Sequence, residues 1–227
     1  MNSSAQILAI GGGGFTHATD PVLETYLLSI SPVNNPSIGF LPTASGDSET
    51  RIKRFYSRFS AETCRPDHLA LFGSVSEVER WVKTQDIIYV GGGNTKSMLG
   101  VWREWGLPEL LREACHRGTI LSGVSAGAVC WFDIALSDSG GRGLEPLPML
   151  QLLRGSCCPH YTNEPNRQQA FESQIQSGKL PAGFGIDDGV ALHFSNGNLE
   201  KVIKTREQAA AYSVCAGATA PVVKQLS

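Results

Sequence analysis

Residues 119–131 read Thr119-Ile120-Leu121-Ser122-Gly123-Val124-Ser125-Ala126-Gly127-Ala128-Val129-Cys130-Trp131. The first half, Thr119-Ile120-Leu121, is an apolar, β-rich run suited to a buried strand. Gly123-Val124-Ser125-Ala126-Gly127 then fits Gly-x-Ser-x-Gly at every fixed position. After it, small residues lead into Val129, Cys130 and Trp131, where a helix can start. Strand, tight turn and helix together hold a serine in a strained turn with its hydroxyl exposed. Glycines are needed on both sides because a Cβ there would collide with the neighbouring strand or helix. The turn also puts the Ala126 N–H at a helix N-terminus, where it meets a developing oxyanion. The competing reading is a glycine-rich turn carrying an idle serine.

Working outward, apolar runs alternate with helical periodicity. Strands are expected at Gln6–Ile10, Ile38–Leu41, His68–Phe72 and Ile87–Val90. Between them, helices are expected from Pro21 with Asp20 as its cap, from Asp47 or Ser48 through Ser60, and over Val75–Val82. Thr95–Trp105 and Pro108–Arg117 are helical, and the strand leading to Ser125 follows. This alternation predicts an α/β fold: a doubly wound, mostly parallel sheet with flanking helices. In such sheets, sites form beyond the carboxyl ends of the strands, where the glycine loops 11–14, 91–93 and 123–127 all fall. Neither of the first two loops is a nucleotide fingerprint. Gly-x-Gly-x-x-Gly from Gly11 meets Thr16 instead of glycine, and a phosphate loop ending at Lys96-Ser97 meets Thr95 and Val90. The last third reads as a loop-rich stretch from Ser137 to Arg154, a helix over Asn166–Gln176 and a C-terminal antiparallel hairpin, Val190–Phe194 with Leu199–Lys204. A final strand pair near Ala211–Cys215 and Ala220–Val223 completes the edge.

With 227 residues, 41% of them hydrophobic, and no linker-like composition, the chain is expected to be a single domain, residues 1–227. A net charge of −2 gives no basic surface for nucleic acid or an anionic membrane. The apolar runs are strand-sized, and the N-terminus lacks the pattern of a secretory signal, so a cytoplasmic location is expected. Six cysteines without Cys-x-x-Cys or ligand-spaced histidines speak against a zinc site. Cys157-Cys158 reads as a buried pair beside a functional histidine, with oxidation sensitivity the lesser alternative.

A neutral serine needs a base within hydrogen-bond reach and a third group to orient that base. Of the five histidines, His68 begins a strand and His116 sits at a helix C-terminus, so both have structural explanations. His17, in the first glycine loop, stays open. His160 follows Pro159 in a constrained loop, and His193 lies within a strand. The order Ser125, Asp188, His193 would be that of α/β-hydrolases. Asp188 and His193 are an odd number of residues apart, however, and in an extended strand point to opposite faces. The order Ser125, His160, Asp188 is preferred.

At these residues the chain resembles the peptidase E family of aspartyl dipeptidases. Three ordered motifs carry the likeness: Val90-Gly91-Gly92-Gly93-Asn94-Thr95, Gly123-Val124-Ser125-Ala126-Gly127-Ala128 and Pro159-His160-Tyr161-Thr162-Asn163. A fourth, Gly185-Ile186-Asp187-Asp188-Gly189, matches less closely. The resemblance implies a sheet like that of class I glutamine amidotransferases and a serine peptidase releasing Asp from Asp-X dipeptides, with no metal or cofactor. Ser125 would be the nucleophile and His160 the general base, with Gly93 and Ala126 forming the oxyanion hole. Asp188 stands where the family resembles Pro-Glu-Gly, so its shorter side chain must bring the turn closer to His160; Asp187 is the alternative acid. Arg167 falls nearest the arginine that binds the substrate's Asp side chain, against the alternative of a solvated arginine at a helix start. Asn94 is carried over as substrate-binding. The expected partners are small peptide substrates, and a homo-oligomer is compatible with the sequence. Competing readings are a broader peptidase, a cyanophycinase-like hydrolase acting on aspartyl–arginine units, an esterase, or a non-catalytic small-molecule-binding α/β module.

Overall fold

The computed structural model describes residues 4–17, 21–73, 75 and 77–227. The expected cap Asp20, its neighbour Thr19 and the side chain of His17 lie outside the described residues. The elements run β1 (Gln6–Ile10), α1 (Val22–Ser29), β2 (Ser37–Leu41), α2 (Glu49–Arg58), β3 (Arg65–His68), α3 (Val78–Lys83), β4 (Ile87–Val90), α4 (Thr95–Glu104), α5 (Leu107–Arg117) and β5 (Ile120–Val124). They continue as α6 (Ala126–Val129), β6 (Phe132–Ser137), β7 (Glu145–Pro148), β8 (Leu153–Pro159), α7 (Arg167–Gln176), β9 (Gly183–Ile186), β10 (Val190–Ser195), β11 (Asn198–Lys204), β12 (Ala211–Cys215) and β13 (Val222–Leu226).

A seven-stranded sheet has the order β11-β10-β1-β5-β4-β2-β3. Its five strands from β1 to β3 are parallel, and the β10–β11 hairpin joins antiparallel beside β1. Strands buried on both faces need apolar side chains at every position, with successive residues serving opposite layers. On β1, Ile7 and Ala9 pack with the helices α3, α4 and α5, while Leu8 and Ile10 pack with α1 and α2. On β4, Ile88 and Val90 face the first layer, and Ile87 and Tyr89 the second. The doubly wound parallel sheet expected from the sequence is therefore present. Among the described residues, no helix is long and apolar enough to cross a membrane.

The second sheet, of order β13-β12-β9-β8-β6-β7, was not foreseen. The stretch read as a loop from Ser137 to Arg154 contains β7, and the approach to His160 is strand β8, parallel to both β6 and β9. Gly155, with φ 92°, and Pro159 interrupt the β signal of β8. Its Ser156-Cys157-Cys158 run is buried without alternation. The final pair β12–β13 extends this second sheet rather than the edge of the first. Phe194 of β10 stands 5.8 Å from Phe132 of β6 and 5.5 Å from Phe184 of β9, so one apolar cluster joins the two sheets.

Two smaller differences have local causes. The third strand is Arg65–His68, not His68–Phe72, because Arg-Pro-Asp-His makes an edge strand where proline costs no ladder bond. The apolar Leu69 and Leu71 that suggested the later register pack instead as a loop. Ser48 stands at the N-cap of α2 without a capping bond, and the Asp47 carboxylate accepts from the amides of Leu71 and Phe72.

Candidate active site

Ser125 links β5 to α6 with φ 55° and ψ −112°, a left-handed conformation that is costly for a residue with a Cβ. Its neighbours explain why it persists. A Cβ on Gly123 would lie 2.3 Å from the Gly127 carbonyl oxygen, and one on Gly127 would lie 2.2 Å from that of Val90. The turn is thus wedged between its own helix and strand β4, and Ser125 N–H donates to the Ile10 carbonyl at 2.9 Å.

His160 follows β8, also at positive φ (52°), and brings its imbidazole ring's Nε2 to 2.8 Å from Ser125 Oγ. On the opposite edge of that imidazole, Nδ1 lies 2.5 Å from Asp188 Oδ1. An ionised carboxylate can only accept, so Nδ1 carries the proton and Nε2 is left to accept from the serine hydroxyl. Asp188 is held by its own backbone, whose N–H donates to Asn163 Oδ1 at 2.6 Å. The first glycine loop closes over the pair. Gly189 N–H donates to the Gly12 carbonyl, and a Cβ on Gly12 would lie 2.0 Å from Asp188 Oδ1 and 2.7 Å from His160 Cε1. The other two glycine loops meet at the serine itself: a Cβ on Gly92 would stand 3.3 Å from Ser125 Cβ.

Asp187 serves elsewhere. It is buried, with Oδ1 accepting from Thr162 N–H and Oγ1–H and Oδ2 accepting from Ala210 N–H. His193 is likewise engaged away from Ser125, between Tyr26 Oη (2.9 Å) and Gln6 Oε1 (3.0 Å), and burial lowers its pKa. His68 contacts the Tyr56 hydroxyl.

Ser125 and His160 line a cavity of about 210 Å³ together with Gly93, Ala126, Val129, Leu136, Pro159 and a polar group, Thr95, Ser137, Asp138, Glu164 and Arg167. Among the described residues, the N–H groups of Gly93 and Ala126 have no acceptor. Gly93 has φ 142°, and a Cβ there would meet the Ala44 carbonyl oxygen at 2.1 Å, so this loop path requires glycine. A larger concavity of about 560 Å³ lies beyond Glu164, but it is lined by residues 161–166, 168, 169 and 172 and reaches neither Ser125 nor His160.

Arg167 opens α7 and is buried in this cavity rather than solvated. Its Nε donates to Glu164, and Nη2 lies 3.4 Å from Asp138 Oδ2. Burial alone would lower the guanidinium pKa; the hydrogen bond and charge of Glu164, with Asp138, outweigh it and raise the net value. Cys158 is packed beneath it, its thiol pushed up to about 12 by burial, with the Arg167 charge opposing. Asn94 does not line the cavity. Its Oδ1 caps α4 by accepting from Ser97 N–H at 2.8 Å, and Nδ2 donates to the Ser139 carbonyl at 3.2 Å.

The cavity therefore gathers Ser125, His160, Gly93, Ala126 and Arg167, with Asp188 behind His160, and leaves Asn94 as a tether. Thr95, Asp138, Glu164 and Asn163 were missed. Glu164 and Asn163 stand within or beside the histidine motif, whereas Asp138 lies in a stretch read as featureless loop.

The fold is shared with a peptidase from an acI-B1 Actinobacterium, at a TM-score of 0.76 and 19% identity, covering 100% of this chain and 95% of that one. In sequence, the uncharacterised peptidase YgaJ of Bacillus subtilis (strain 168) is 46% identical over 211 residues, 92% of this chain and 91% of the relative. Peptidase E of Haemophilus influenzae is 28% identical over 125 residues, covering 51% and 57% of the two chains. The model of peptidase family S51 matches residues 7–202, a span that includes every residue lining the cavity. The chain belongs to peptidase family S51.

Proposed function

We propose that this chain is a serine peptidase that releases an N-terminal Asp from Asp-X dipeptides. The observation that carries the reading is the unbroken relay from Ser125 Oγ to His160 Nε2 (2.8 Å) and from Nδ1 to Asp188 (2.5 Å), beside two uncommitted amides. In this reading His160 removes the Ser125 proton as Oγ attacks the scissile carbonyl, and the carbonyl oxygen gathers negative charge against the Gly93 and Ala126 amides. The imidazolium, stabilised by Asp188, then protonates the leaving amine, and an acyl-enzyme remains. Water, deprotonated by the same imidazole, attacks the ester and frees the acid.

The size and charge of the cavity support the substrate class. About 210 Å³ holds one small residue. The α-ammonium of an N-terminal residue would face Asp138 and Glu164, and its side-chain carboxylate would face Arg167, whose Nη1 has no carboxylate partner among the described residues. A second reading, a related hydrolase with another first-residue preference, is favoured by the same ion pairs. With Glu164 and Asp138 both against Arg167, the cavity's carboxylates outnumber its guanidinium.

The deciding experiment combines diisopropyl fluorophosphate labelling with a screen of X-Leu dipeptides. Labelling confined to Ser125, loss of roughly 10⁵-fold or more in kcat in Ser125→Ala, and highest kcat/KM for Asp-Leu are expected. Comparable turnover by Ser125→Ala would remove this serine from the reaction, and a flat screen would favour the second reading.

A further inference from the structure

Thr95 is the first residue of the ten-residue helix α4 and is only 4% exposed, yet it lines the cavity that holds Ser125 and Arg167. A hydroxyl on a largely buried residue that opens on a cavity is placed to meet whatever enters it. Among the described residues the Thr95 Oγ1 has no hydrogen-bond partner, and its N–H has no acceptor either. The next two amides of the same turn are already satisfied: Lys96 N–H by Ser139 Oγ at 3.1 Å, and Ser97 N–H by Asn94 Oδ1 at 2.8 Å. Thr95 is thus the residue of that first turn whose donors are left over, at the positive end of a helix dipole. Across the cavity, the charge of Arg167 is shared between Glu164 and Asp138. A substrate carboxylate entering there gains a partly neutralised guanidinium and would need further donors.

We propose that Thr95 is a substrate-binding, specificity-determining residue. Its O–H and N–H donate to the side-chain carboxylate of the N-terminal Asp, which Arg167 meets from the other side. This deepens the Asp-X reading and rests on it. Discrimination for Asp then comes from two oriented donors at a helix terminus as well as from the arginine. A first residue without a side-chain acceptor, such as Ala, leaves both donors unmet.

The test compares kcat/KM for Asp-Leu and Ala-Leu in the wild type, Thr95→Val and Thr95→Ser. Valine keeps the shape and removes the hydroxyl; serine keeps the hydroxyl. Losing a hydrogen bond to a charged group should lower the Asp-Leu to Ala-Leu ratio about 10- to 100-fold in Thr95→Val, and Thr95→Ser should restore most of it. If Thr95→Val misfolds, Thr95→Ala gives the same readout. A high wild-type ratio that survives loss of the hydroxyl, or an equal fall for both dipeptides, overturns this inference alone. A wild-type ratio near one overturns the Asp-X reading, and this inference with it.

Discussion

Asp187 and Asp188 are adjacent in sequence yet send their carboxylates to different structures: Asp188 to His160 Nδ1, Asp187 to Thr162 and the Ala210 amide. In the proposed reading one completes the relay, while the other ties the turn. Asp188→Asn should therefore fold normally and lose on the order of 10³- to 10⁴-fold in kcat, because the amide favours the wrong imidazole tautomer. Asp187→Ala leaves buried donors unpaired and should cost about 1–3 kcal/mol in urea unfolding. The opposite assignment of the two effects would make Asp187 the relay acid.

His160 and His193 separate in the same way. His160→Ala should remove orders of magnitude in rate, whereas His193→Gln should leave kcat nearly intact. Burial lowers the His193 pKa, so on acidification the unfolded chain takes up a proton that the folded chain refuses. Its contribution to stability is present above about pH 6.5 and is lost as pH falls from there through the lowered folded-state value. The drop in urea midpoint between pH 7.5 and 5.5 should be smaller in His193→Gln; an unchanged drop would remove His193 as a source of acid sensitivity.

Asn94 ties the start of α4 to the loop bearing Asp138, through the Ser139 carbonyl. Asn94→Ser can still cap the helix but cannot reach that carbonyl. A KM about fivefold higher, with little change in melting temperature, is the expected result of one lost neutral hydrogen bond. A large thermal shift with unchanged KM would make the tether purely structural.

Five of the six cysteines are buried, and Cys215 is exposed. Native protein should react quickly with one equivalent of Ellman's reagent, and Cys215→Ser should abolish that phase. Burial pushes Cys115 up to about 11 and Cys158 up to about 12. The unfolded thiols ionise near pH 8.5, so these residues favour the folded state fully below about pH 8.5 and progressively less towards pH 11–12. A flat urea midpoint from pH 8 to 10.5 would contradict this.

The parallel sheet was legible because β1, β4 and β5 are short apolar runs that end in glycines. Ser125 and His160 were legible because their motifs combine turn-forming residues with chemistry. The second sheet was hidden by its composition: Gly155 and Pro159 in β8, and Pro146 and Pro148 in the edge strand β7. Thr95 and Asp138 were hidden for another reason. Each is an ordinary polar residue, and only the meeting of α4, the end of β6 and α7 gives it a role. The choice between Asp187 and Asp188 depends on how a single turn is oriented, which neighbouring residues of identical type do not reveal.

Gly12 packs against Asp188 and His160, so the centre is drawn from near the start of the chain and from beyond its first 180 residues. Ser125 is therefore synthesised 63 residues before Asp188, and on the proposed reading it has no complete relay until that later segment is made. On that reading, hydrolytic capacity waits until the segment around residue 188 pairs with the loop at residue 12. Truncated products of interrupted translation should accordingly be inert towards dipeptides.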